Sequence, residues 1–324
     1  MRVIKLLFLL VLVGAAVVGF YVYVPFGPER ETFVDIPAGT GTQAMAAQLE
    51  QAGVIRSRYA FMALKAAHGG ALKAGEYRFD HAAPVTEVYA RIRKGDVYTR
   101  TLVIPEGFNI FDIAQAVETA GLGSRAEFLA AERKHTELIA QWSPGAQSLE
   151  GYLFPDTYRF SRHSTPQTML ATMVKRFGQK AAALGLTAGA DISRVVTVAS
   201  LVEKEVHIDA ERPVVAGVFE NRMAAGMPLQ TDPAVIYASL LRGTWTGVIH
   251  QSELHSDSPY NTYVHAGLPP GPICNPGIAA LKAAIQPART EYLYFVADAA
   301  GATRFAKDMK EHEAQVQSFR AASR

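Results

Sequence analysis

One cysteine, Cys274, stands in 324 residues, so no intrachain disulfide can form and an oxidising compartment adds no covalent staple. It lies in the stretch Gly271-Pro272-Ile273-Cys274-Asn275-Pro276-Gly277 with no histidine beside it, which makes it a small apolar filler rather than a nucleophile. Charge of one sign is also lacking. Lys and Arg number 32 and Asp and Glu 30, a formal charge of +2, which gives no sign of a nucleic-acid partner. The nine histidines are scattered, with neither H-E-x-x-H nor paired Cys/His spacing, so no metal is expected. No G-x-S-x-G is present and Ser200 falls inside an apolar helical run, which argues against a Ser/His/Asp triad. Gly39-Thr40-Gly41 is not followed by the Lys-Ser/Thr of a P-loop, and no cofactor is implied.

A long apolar run is present. Arg2 and Lys5 precede an uninterrupted stretch from Leu6 to Phe26, about 20 residues, enough to cross a bilayer as a helix. The basic side is expected in the cytoplasm. The run exceeds the roughly 7–15 residues of a signal-peptide core, and no A-x-A site closes it. The expectation is a cytoplasmic tail over 1–5, an uncleaved anchor over 6–26, and everything after Pro28 outside the cytoplasm.

The chain also repeats itself. Ile36 to Gly53, IPAGTGTQAMAAQLEQAG, aligns without a gap on Ile104 to Gly121, IPEGFNIFDIAQAVETAG, matching Pro37 with Pro105, Gly39 with Gly107, Ala46 with Ala114 and Glu50 with Glu118. Further on, Gly75-Glu76-Tyr77-Arg78-Phe79 is echoed by Asp156-Thr157-Tyr158-Arg159-Phe160, and Pro84-Val85-Thr86 by Pro166-Gln167-Thr168. The pattern predicts a duplicated unit of strand, helix, helix, strand and trailing helix. In the first copy the strand is Thr32 to Ile36 and the helices are Gly41 to Ala52 and Arg58 to His68, with Gly53 at the positive-φ position that ends the first helix.

What remains to carry chemistry is carboxylates, above all in Val195 to Val206, VVTVASLVEKEV. At about 100° per residue, Val195, Val198, Ala199, Val202 and Val206 form one apolar stripe, and Glu203 and Glu205 fall on either side of it. The two carboxylates therefore cannot share a pocket. A carboxylate on the last turn of a half-buried helix can have its pKa raised by desolvation and act as a general acid; a solvated Glu/Lys/Glu cluster reads equally well from these residues alone.

Around that helix lie Leu149-Glu150-Gly151-Tyr152-Leu153-Phe154-Pro155-Asp156-Thr157-Tyr158, Phe219-Glu220-Asn221-Arg222, Gly226-Met227-Pro228-Leu229-Gln230-Thr231-Asp232-Pro233, Tyr260-Asn261-Thr262-Tyr263, Gly267 to Gly277 and Tyr292-Leu293-Tyr294-Phe295-Val296. In this order the set resembles the MltG/YceG-like family of endolytic murein transglycosylases, most densely from Leu149 to Val296. The resemblance implies an α+β protein: an N-terminal transmembrane helix, a LysM-like subdomain over 31–97, and a mixed α+β catalytic domain over 98–324. It also implies endolytic cleavage between N-acetylmuramic acid and N-acetylglucosamine in nascent strands, leaving 1,6-anhydro ends and terminating elongation. Peptidoglycan glycan strands, a single-pass inner-membrane location with the catalytic domain in the periplasm, and peptidoglycan synthases as partners are implied in the same way.

The family motif puts the acid at the second glutamate of E-K-E, Glu205, with Glu203 as the alternative and as a partner for Arg212 or Lys204. The expected apolar wall is Val198, Leu201 and Val202. Candidate substrate contacts are Glu150, Gln230, Thr231, Asp232, Tyr260, Asn261 and Tyr263. For several of these a structural role is as good a reading: Glu150 as a cap or ion pair, Asp232 as the N-cap before Pro233, and the tyrosines and Asn261 as loop packing. A LysM-like unit binds N-acetylglucosamine-containing glycans or serves as a spacer, and the second copy reads as a scaffold for the cleft. Two rival functions stay open, a non-catalytic murein-binding scaffold for cell-wall synthases and a hydrolase leaving reducing ends.

Overall fold

The computed structural model describes residues 2–186, 191–298 and 302–322, and the chain divides into two compact units, Met1–Arg100 and Thr101–Arg324. The first unit opens with α1 (Arg2–Tyr23), whose 22 residues are long and apolar enough to cross a membrane, a test that a signal sequence also passes. The helix stops short of Phe26 because Val24 precedes Pro25, and a residue before proline is pushed out of helical geometry. Phe26 instead exchanges backbone hydrogen bonds of 3.1 Å each way with Ala83. Arg56 lies 4.1 Å from the Phe20 ring and 5.1 Å from that of Phe26, so the end of α1 rests on the folded part of its unit.

That part is β1 (Thr32–Ile36), α2 (Thr42–Gln51), α3 (Arg58–His68), β2 (Gly75–Phe79) and α4 (Val85–Lys94). The strands are antiparallel, with Thr32 opposite Phe79 and Ile36 opposite Gly75. Ile36, Leu49, Phe61, Tyr77, Val88 and Ile92 fill the core between strands and helices.

The second unit begins with the same order: β3 (Arg100–Val103), α5 (Ile110–Thr119), α6 (Arg125–Lys134), β4 (Thr157–Phe160) and α7 (Pro166–Ala183), with β3 paired to β4. The duplication extends to individual hydrogen bonds. The Gly53 amide donates to Glu50 O at 3.0 Å and that of Val54 to Leu49 O at 2.9 Å; Gly121 donates to Glu118 O at 2.9 Å and Leu122 to Val117 O at 3.0 Å. Both glycines have positive φ, 69° and 67°, where only a residue without Cβ is unstrained. Glu50 Oε1 accepts from the Arg58 amide at 3.0 Å and Glu118 Oε1 from the Arg125 amide at 3.2 Å, each at the start of the following helix. Tyr77 and Tyr158 each donate the phenol to the carbonyl four residues earlier, Lys73 and Phe154.

The remainder is mostly helical: α8 (Ile192–Glu205), α9 (Arg212–Ala224), α10 (Asp232–Arg242), α11 (Gln251–Leu254), α12 (Ile278–Ile285), the antiparallel hairpin β5 (Tyr294–Ala297) and β6 (Thr303–Ala306), and α13 (Met309–Ala322). The α8 helix starts at Asp191, whose carboxylate accepts from the Arg194 amide, and is sheathed by α9, α10 and α12. Val198, Leu201 and Val202 are buried in this packing. The architecture is α+β, with helices dominating and, among the described residues, strands only in pairs.

Candidate active site

Eight buried residues in a row, Val196 to Glu203, lead to the end of α8, which stops at Glu205 where Val206 turns extended. Glu203 and Glu205 leave this last turn in different directions, as the helical period requires. Glu203 goes inward. Its Oε1 lies 3.0 Å from Arg212 Nη1, both side chains being 5% exposed, and its Oε2 accepts from the Gly277 amide at 2.9 Å.

Glu205, half-buried, lines a cavity of about 300 Å³ together with Arg222, Leu229, Gln230, Asp232, Tyr263, Phe295 and His312. Burial is the main cause that lifts its carboxyl to about 7, the Asp232 charge adds to the lift, and Arg222 opposes it. The negative end of the α8 dipole acts in the same sense as Asp232. The apolar walls beside the carboxyl are Leu229 and Phe295, not Val198, Leu201 and Val202, which point into the core. At neutral pH the group is therefore divided between acid and base forms, the condition a side chain needs to give a proton and take one back.

The cavity rim is held by bonds between segments distant in sequence. Gln230 has φ 54°, the only positive φ outside glycine among the described residues, a conformation that costs about 1 kcal/mol or more for a side-chain-bearing residue. It is held by its amide donating to Thr262 O at 2.9 Å and by the next amide, of Thr231, donating to Thr262 Oγ1 at 2.9 Å. Asn261, fully buried, donates its amide to the carbonyls of Glu253, Leu254 and Ser256 and accepts from the Tyr263 amide. This sets the Tyr263 phenol 2.7 Å from Asp232 Oδ1, to which it donates. Thr231, not Asp232, takes the position before the helix, and no side chain caps it. The boundary shifts by one because Thr231 is the extended residue, and Asp232 in the first turn still meets the positive end of α10.

Of the residues singled out from the sequence, Glu205, Gln230, Asp232 and Tyr263 thus come together. Thr231 and Asn261 are buried behind them and hold the rim. Tyr260 packs against Tyr237, ring centroids 5.1 Å apart, and does not line the cavity. Glu150 is 2% exposed and is not among the residues lining the cavity: its Oε2 accepts from the Ile110 amide at the start of α5 and its Oε1 from Asn275 Nδ2. Burial pushes it up to about 8.

Arg222, Leu229, Phe295 and His312 line the cavity without having been assigned a role from the sequence. Arg222, one charged residue buried on α9, donates to the carbonyls of Leu293, Pro228 and Leu229. Its place at the end of the segment Phe219-Glu220-Asn221-Arg222, part of the ordered set that carries the family resemblance, is the signal that could have marked it.

A second bracing group sits on the opposite side of α8. Asn275, fully buried, accepts from the Leu153 amide at 2.8 Å, and its Nδ2 donates to Phe108 O at 2.9 Å and Glu150 Oε1 at 2.8 Å. Its backbone bonds the turn Gly107-Phe108 of the second repeat, and Lys204 donates to Gly107 O at 3.4 Å. The repeat turn, the 273–277 loop and the end of α8 are thereby one bonded assembly. Cys274 in that loop is buried and donates its thiol to Ser200 O. Asn275→Ala leaves the Leu153 amide without its acceptor and takes a donor from Glu150 Oε1 and from Phe108 O, which keeps the backbone amide of residue 275; it is expected to cost on the order of 3 kcal/mol, read as an earlier thermal unfolding of the chain.

The YceG-like family model matches residues 34–318. The chain is 32% identical to an endolytic murein transglycosylase of Bacillus subtilis, over 94% of this chain and 89% of the relative. It is 30% identical to endolytic murein transglycosylases from two strains of Streptococcus pneumoniae, spanning 89% of this chain but 58% of theirs. A crystal structure of a YceG-like protein from Listeria monocytogenes superposes with a TM-score of 0.60 at 30% identity, covering 89% of this chain and 99% of that one. With a match over most of its length and a site assembled from the same ordered segments, this chain belongs to the YceG-like family.

Proposed function

We propose that this chain is an endolytic murein transglycosylase in which Glu205 serves first as acid and then as base. The observation that carries the reading is the half-buried Glu205 carboxyl, lifted to about 7 mainly by burial, in a cavity it shares with Asp232, Gln230, Tyr263 and Arg222. Protonated Glu205 gives its proton to the glycosidic oxygen between N-acetylmuramic acid and N-acetylglucosamine. The bond to the anomeric carbon breaks, its electron pair leaving with that oxygen, and positive charge develops on the muramyl ring. The Glu205 carboxylate then takes the proton of the muramyl 6-hydroxyl, whose oxygen closes on the anomeric carbon as a 1,6-anhydro ring. No water is consumed and the glutamate ends as it began. Asp232, close enough to raise Glu205, would stabilise the developing cation, while Gln230 and Arg222 supply donors for sugar oxygens and the Tyr263 phenol oxygen, its proton given to Asp232, an acceptor.

Asp232 also favours a second reading, in which it activates water and the enzyme hydrolyses the bond, since glycosidases use two carboxylates. One of its oxygens is committed to the Tyr263 phenol, which weakens it as a base. On the lytic reading, α1 anchors the chain in the inner membrane with the second unit in the periplasm. The βααβ unit of the first repeat is a LysM-like element toward glycan, and action on nascent strands terminates their elongation beside the synthases.

The pH profile tests the acid. Because Glu205 must start protonated, turnover should fall as pH rises through about 7. Asp232→Asn removes the charge that adds to the lift from burial, so the alkaline limb should move part of the way to lower pH. A limb that stays in place in a folded Asp232→Asn enzyme would separate the pH dependence from Glu205.

A further inference from the structure

We propose that His312, delivered by the C-terminal helix α13, is a further substrate-contacting residue, a neutral imidazole whose Nε2–H donates to an oxygen of the bound glycan. The inference rests on the reading of the cavity as a glycan site. Among the described lining residues His312 is the one contributed by α13, so the cavity is completed by an element more than a hundred residues beyond Glu205. Its ring lies against Tyr294, centroids 5.3 Å apart at 24°, and Arg222 lies 5.1 Å from the centre of the same tyrosine ring. The imidazole thus lies against Tyr294, whose ring is in turn packed by Arg222, itself tied to three backbone carbonyls.

The two ring nitrogens differ. Nδ1 is fully buried and has no hydrogen-bond partner among the described residues. A proton there would be a buried, unpaired N–H close to the Arg222 cation, which is costly, so the ring is best carried as the tautomer protonated on Nε2. Burial and the Arg222 charge both lower the tendency of the ring to take a second proton. The cationic groups facing it are Arg222 and the acidic ones Glu205, Asp232 and, on its own helix, Glu313. A neutral donor fixed by stacking suits a sugar hydroxyl or an N-acetyl carbonyl, and unlike a lysine it leaves the proton balance of Glu205 undisturbed.

The test uses the full chain in detergent and purified uncrosslinked glycan. In a Glu205→Gln background, His312→Phe keeps the stack and removes the nitrogens; glycan binding should weaken about tenfold, the scale of one lost hydrogen bond to a ligand. His312→Gln, which can place an amide N–H near the former Nε2, should recover part of the loss. In the otherwise native enzyme the same change should raise KM more than it lowers kcat. Binding and KM unchanged in a folded His312→Phe protein would overturn the proposal. Should that variant unfold, the nitrogen resonances of His312 in the Glu205→Gln protein decide: Nε2 must shift on saturation with glycan, and an unmoved Nε2 signal overturns the contact. If the Glu205→Gln parent binds no glycan and the wild type cleaves none, the reading of the cavity fails and this inference with it.

Discussion

Glu205→Gln is expected to lower turnover of uncrosslinked glycan by roughly a hundred- to ten-thousandfold, the usual contribution of a positioned proton donor. Glutamine keeps the shape of the side chain and the end of α8 but can neither give the proton nor take it back, so both halves of the proposed reaction fail together. The fold should be untouched or slightly firmer. Glu205 makes no ion pair among the described residues, and a carboxylate at the negative end of a helix contributes nothing to stability. Thermal unfolding and glycan binding at the parental level, alongside lost turnover, are the expected results. Turnover close to the wild type would remove Glu205 from the chemistry.

Glu203→Gln should do the opposite. It leaves the Glu205 cavity intact but strips the buried Arg212 of its countercharge and weakens the acceptor for the Gly277 amide. Breaking one member of a buried pair typically costs about 3–5 kcal/mol, which in a unit of this size lowers the melting temperature on the order of 10 °C. Arg212→Met should cost a similar amount. The double variant Glu203→Leu with Arg212→Met should recover much of the loss, because no unpaired charge then remains buried. Asp209 also contacts Arg212, at 3.0 Å, but is largely exposed, so it cannot stand in for Glu203. A Glu203→Gln protein that melts with the wild type yet has lost turnover would reverse the roles assigned to the two glutamates.

That Glu203 and Glu205 leave α8 in different directions was legible in the sequence, because residues two apart on a helix cannot share a direction; which of them is the acid was not, and that assignment came from the family resemblance. The strand and helix positions of the first repeat were legible for a similar reason, since Gly53 and the alternation of β1 are local signals that tertiary packing did not override. The source of the Glu205 environment was not. The nearest apolar residues in sequence, Val198, Leu201 and Val202, are spent on the core, and the wall is built by Leu229 and Phe295, brought in by folding. Gln230 gave no sign of its positive φ, which is imposed by Thr262 across the rim. Glu150, which the sequence left open between a substrate contact and a cap, is buried under Asn275, a residue 125 positions away, and that pairing has no local signal. His312 lay outside every motif, on a helix of ordinary polar composition.

The lytic claim comes down to where the oxygen on the new chain end originates. Digestion of uncrosslinked glycan by the full chain in heavy-oxygen water, followed by mass spectrometry, reads this directly. The account predicts muramyl ends lighter than the hydrolysis product by one water, about 18 Da, and free of heavy oxygen, because the 6-hydroxyl of the substrate closes the ring in place of the water that a hydrolase adds. Reducing ends carrying the heavy isotope would contradict it and make Asp232 the base of a hydrolase.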